Sequence, residues 1–125
     1  MRRGAPAERT APPSLRGHET SLLHERYRPG PMFVLALEVE LRIVDAHSLK
    51  DKRQVVKSLV ETVRRRFAIS AAEVGRQENW QRATLGFAVV ASSAGQASAV
   101  IDDVDRFVWS HPGVEIIEAE RTWLG

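Results

Sequence analysis

"FVLALEVELRIVDAHSLKDKRQVVKSLVETVRRRF" runs from Phe33 to Phe67 and changes its apolar period halfway along. Through Ile43 the period is two. Phe33, Leu35, Leu37, Val39, Leu41 and Ile43 share one face, and Val34, Ala36, Glu38, Glu40 and Arg42 share the other. Successive side chains of a strand point to opposite faces, so this reads as a strand buried on one side. From Leu49 the apolar residues Val56, Leu59, Val60, Val63 and Phe67 recur at the 3.6-residue spacing of a helix. Ser48 stands where an N-cap is needed, with Asp51 three residues on as a variant capping box.

The rest of the chain extends that pattern. "AISAAEV" (68–74) reads as a second strand, "GRQENWQ" (75–81) as a polar loop and "RATLGFAVVA" (82–91) as a third strand. "SSAG" breaks the third strand. Val100, Ile101, Val104, Phe107 and Val108 mark a second helix that ends before "HPG" (111–113), and "VEIIEAERTW" (114–123) is the last strand. The order β-α-β-β-α-β predicts an α+β, ferredoxin-like domain, with two helices on one face of a four-stranded antiparallel sheet. The other face would carry Val34, Ala36, Glu38, Glu40, Thr84, Gly86, Ala88 and Val90. Its small apolar side chains Val34, Ala36, Ala88 and Val90 suit a second copy of the chain, which makes a homodimer one expectation.

Composition narrows the function classes. There are 125 residues, 43% of them hydrophobic, enough for one domain with a modest core. The absence of cysteine excludes disulfides, a thiolate nucleophile and cysteine-ligated zinc. No apolar run approaches the ~20 residues of a membrane helix, and no secretory signal is evident. A soluble, cytoplasmic protein without a membrane partner is expected. Residues 1–31 hold five of the six prolines and no sustained apolar period. This predicts a disordered extension before a domain at 32–125, and Met32 is a candidate natural start.

The sequence pI near 9.5 invites a nucleic-acid reading. Residues 1–31, however, carry six Arg against three Glu, which leaves twelve basic and thirteen acidic residues in 32–125. A basic surface on the domain must therefore come from segregation of charge. On a helical wheel Lys50, Arg53, Lys57 and Arg64 line one edge of the apolar arc, and Lys52 and Arg66 flank the other. Lys and Arg at such borders commonly rest their stems on the core and keep their heads in water. Cations in a first turn nevertheless oppose the helix dipole. Lys50, Lys52, Arg53, Lys57 and Arg64 are therefore candidate RNA-phosphate contacts.

In the hairpin loop, Arg76, Trp80 and Arg82 are a second candidate contact set, the ring offering a stacking surface. The competing reading, which we take, folds Trp80 back over the core as a lid. "GFAVV" (86–90) faintly resembles the signature strand of RNA-recognition motifs, but Phe87 alternates with core residues and the open face has no aromatic to stack a base. Asp102, Asp103 and Asp105 do not share one helix face, so a solvated acidic surface is expected there and no metal site. Asp45, His47 and Ser48 are too close in sequence to converge as a triad, and no phosphate-loop, dinucleotide or two-histidine motif occurs. No catalytic residue, metal or cofactor is predicted. A small phosphate-handling enzyme around His47 and Lys50 is the least favoured alternative.

"AHSLKDKRQVVKSL" (46–59), "ISAAEV" (69–74), "WQRATLGFAVV" (80–90) and "FVWSHPGVEII" (107–117) resemble the DUF503, or YlxP-like, family of small bacterial proteins of unknown function. The resemblance covers nearly all of 32–125 and implies a ferredoxin-like fold. It also implies a ribosome- or RNA-related role, because genes of the family commonly lie beside those for translation initiation and ribosome maturation factors. It brings no catalytic residue. The expected function is a non-enzymatic accessory protein contacting structured RNA, with a ribosomal particle as partner. The alternative is a homodimeric interaction module built on the open sheet face.

Overall fold

The computed structural model describes residues 31–125. Apart from Pro31, the extension expected over 1–31 lies outside the described residues. The elements are β1 (Phe33–Ile43), α1 (Leu49–Phe67), β2 (Ser70–Gly75), β3 (Arg82–Ala91), α2 (Ala94–Ser110) and β4 (Val114–Trp123). They match the predicted set, with β2 displaced toward Gly75. The four strands form one antiparallel sheet in the order β2-β3-β1-β4. This is the ferredoxin-like α+β arrangement.

The alternation in β1 decides the layering. Leu35, Leu37, Val39, Leu41 and Ile43 are buried, and their antiparallel partners Leu85, Phe87 and Val89 on β3 face the same way. Val56, Leu59, Val60 and Val63 of α1 and Ala97, Ile101, Val104 and Val108 of α2 close the core from above. Phe67 and Phe107 join the helices where they end, as an edge-to-face pair with centroids 5.8 Å apart.

Local chemistry sets the ends of α1. Ser48 is extended and its Oγ accepts from Asp51 N at 3.0 Å, while Asp51 Oδ2 accepts from His47 N at 3.1 Å. The aspartate is one methylene shorter than the usual glutamate and reaches back to His47 N. A cap of this kind contributes about 1 kcal/mol. The basic residues Arg64, Arg65 and Arg66 fill the last turn, where the dipole favours them. Gly86 solves a packing problem on the open face. A Cβ there would stand 3.1 Å from Val74 Cγ1, so a larger residue would push the exposed Val74 side chain aside.

Candidate functional site

Twelve basic residues lie among the described residues, and the structure divides them evenly. Arg42 pairs with Glu115, Lys52 with Glu73, Arg76 and Arg82 with Glu40, Arg106 with Asp103, and Arg121 with Asp102 and Asp105. The six without a carboxylate partner among the described residues are Lys50, Arg53, Lys57, Arg64, Arg65 and Arg66, and all six belong to α1. This helix has seven basic residues and two acidic ones, a net of +5, on a domain whose net charge is −1. Its buried face fixes the rest. With Leu59, Val63 and Val56 turned to the sheet, Lys50, Arg53 and Lys57 stand exposed in one row. Arg64 closes that row while its Nε donates to Ala71 O at 2.9 Å, which ties the last turn of α1 to β2.

Lys52 does not belong to this surface. It was expected among the phosphate contacts, yet it is 0% exposed. Its Nζ lies 2.5 Å from Glu73 Oε2 and donates to the carbonyls of Arg76 at 2.9 Å and Gln77 at 3.4 Å. On the wheel Lys52 falls between Leu59 and Val63, inside the apolar arc and not at its border. The ammonium therefore fastens the β2–β3 loop to α1. It is unavailable to a nucleic acid.

The second candidate set is divided by the fold. Arg76, at φ +58°, and Arg82 both turn to Glu40 on the open sheet face, away from the helix layer. Trp80 is 42% exposed and lies outside the core, so the expected lid is absent. Asn79 Oδ1 accepts from the backbone N–H groups of Gln81 and Arg82, both at 2.9 Å, and this turn carries the indole outward. Asp102, Asp103 and Asp105 lie at the surface as expected, each in an exposed or half-exposed ion pair with an arginine. Among the described residues no three His, Asp or Glu side chains converge as a metal site. No helix among them is long and apolar enough to cross a membrane.

The open face has two halves. Val34 pairs across the sheet with Val90, and Ala36 with Ala88, giving the apolar half; Val90 is 64% exposed. In the other half Glu38 faces Glu120 and Glu40 faces Glu118 across β1 and β4. Like charges directly opposite each other are destabilising, and the arginine clamp on Glu40 relieves one of them. Burial alone would raise the Glu40 carboxyl. Hydrogen bonds from Thr84 (2.8 Å) and Arg82 (3.1 Å) and the charges of Arg76 and Arg82 outweigh burial and hold it below the ordinary value. A depressed folded pKa gives stability that is present above the unfolded value and lost as pH falls through the folded one. Urea unfolding should therefore find Glu40→Gln less stable than the parent at neutral pH, with the gap closing below about pH 4. A gap that stays constant with pH would mean the carboxylate charge is not what the clamp holds.

The fold and the one-sided basic helix define a ferredoxin-like α+β domain whose described cations without a carboxylate partner are gathered on α1. Residues 34–121 match the family described as "Protein of unknown function (DUF503)", and the chain belongs to that family. It is 38% identical over 87 residues to "Uncharacterized protein YlxP" of Bacillus subtilis (strain 168), a stretch that covers 70% of this chain and 95% of that relative.

Proposed function

We propose that this protein is a non-enzymatic accessory factor that grips the phosphate backbone of structured RNA through the outer face of α1. One observation carries the reading: every described cation that lacks a carboxylate partner sits on that helix. Paired arginines have already exchanged water for a carboxylate. The row of Lys50, Arg53, Lys57 and Arg64 has not, and it can exchange water and counterions for phosphates. The glutamates of the open face lie on the other side of the sheet, so the domain can approach a polyanion in one orientation only. A translation-related role is the expectation that the resemblance in the sequence raised, and a phosphate grip on α1 would serve it. The test is co-sedimentation of the full chain with ribosomal particles at low and high salt. Sedimentation lost at high salt supports the reading, and its absence at low salt contradicts it.

A second reading rests on the exposed apolar side chains of Val90 and Val74, which occupy the same open face as Val34, Ala36 and Ala88. A second copy packed on this half would keep the two acidic halves apart. Sedimentation velocity should then find a dimer at micromolar concentration that Ala88→Arg dissociates. A monomer throughout that range excludes it.

A further inference from the structure

Where α1 and α2 end side by side, an open groove of roughly 600 Å³ lies between them, lined by Arg66, Phe67, Asp103, Arg106, Phe107 and Ser110. That volume is the size of a small-ligand site. The Arg66 guanidinium lies 5.2 Å from the Phe67 ring centroid and 5.3 Å from that of Phe107. The two rings, set edge to face at 65°, brace the guanidinium, and Arg66 is exposed along the groove. At the rim, Asp103 and Arg106 form an exposed pair one helical turn apart, in which Asp103 Oδ1 takes the Arg106 Nη2 and leaves Oδ2 for a ligand.

We infer that this groove takes up a single unpaired guanine base, with Arg66 as the stacking platform and Asp103 and Arg106 as the reading edge. A planar guanidinium braced by aromatic side chains can stack on a base face. The Asp103 carboxylate has Oδ2 open and a second lone pair on Oδ1 beside the bond from Arg106, two acceptors side by side that suit the adjacent N1–H and N2–H donors of guanine. Arg106, held on the same carboxylate, is placed to donate to O6. Arg66 is the ninth residue after Lys57, about 13 Å along the helix, and the exposed Arg65 lies between them. Nine residues are half a turn of the wheel, so Arg66 opens on the border of α1 opposite the basic row, and a strand reaches the groove from that row by crossing the solvent side of the helix at Arg65. As part of an RNA site the groove rests on the proposed function, but mononucleotide binding can be measured apart from it.

The experiment is a titration of the full ¹⁵N-labelled chain with guanosine 5′-monophosphate, then with the adenosine, cytidine and uridine monophosphates, followed by amide chemical shifts. Saturable shifts are expected at Arg66, Phe107 and Ser110, with guanosine binding about tenfold or more tightly than the others. Asp103→Asn should remove that preference while stacking remains. No saturable shift, or an equal response to all four nucleotides, overturns the inference. A parallel titration with a blunt-ended RNA duplex, which has no unpaired base, separates the two claims. Duplex binding without guanosine binding ends the groove assignment and leaves the basic helix standing, and the converse result does the reverse.

Discussion

Replacing Lys52 with alanine should lower the unfolding free energy by about 3–5 kcal/mol, the usual effect of removing one partner from a buried ion pair. The side chain is wholly buried, and its Nζ is held by Glu73 and the carbonyls of Arg76 and Gln77. Truncation strands the Glu73 carboxylate, which is only 18% exposed, and takes the donor from two loop carbonyls. It also leaves a cavity between Leu59 and Val63. A double variant, Lys52→Met with Glu73→Gln, should regain much of the loss, because it fills the volume and removes the unpaired charge. Equilibrium urea unfolding checks both. A loss below about 0.5 kcal/mol in the alanine variant, typical of an exposed site, would contradict the assignment of Lys52 as an internal fastener. Hydrogen exchange in that variant should accelerate first at residues 76–81.

The second large effect is on binding. Lys50→Glu, Arg53→Glu and Lys57→Glu together should weaken the affinity for structured RNA on the order of 100-fold and reduce its salt slope by about three. Each substitution removes a phosphate contact and puts a carboxylate in its place. The fold should not suffer. All three side chains are exposed and without ion pairs among the described residues. Lys50 is the second residue of α1, where glutamate suits the helix dipole better than lysine does. Thermal unfolding of the triple variant should therefore lie close to that of the parent. Undiminished RNA binding by a folded triple variant would remove α1 from the interface.

The layered fold was legible because its signals are local and periodic. β1 alternates through eleven residues, α1 keeps one apolar arc through nineteen, and Ser48 marks the junction between them. The basic row was legible for the same reason, since a wheel places Lys50, Arg53 and Lys57 together. Lys52 was misread at its border position although the signal was present. It falls within the apolar arc of α1, and in "ISAAEV" the alternation that buries Ala71 also turns Glu73 toward the core. Opposite charges at two core-facing positions imply a pair. The fates of Arg76, Arg82 and Trp80 were not legible. They depend on a left-handed residue in the β2–β3 loop and on Glu40, which is 36 residues before Arg76 and adjacent to it only through the sheet register. The pairing of Asp102 and Asp105 with Arg121 likewise needs α2 laid over β4.

The measurement that bears most directly on the central claim is fluorescence anisotropy of a labelled RNA hairpin with the full chain, repeated at several salt concentrations between about 50 and 200 mM. Four or five phosphate contacts along α1 predict a plot of log K against log salt with a slope of roughly −4, at about −0.9 per contact. Absence of binding at the lowest salt, or an affinity that does not change with salt, would contradict the assignment of α1 as a grip on RNA.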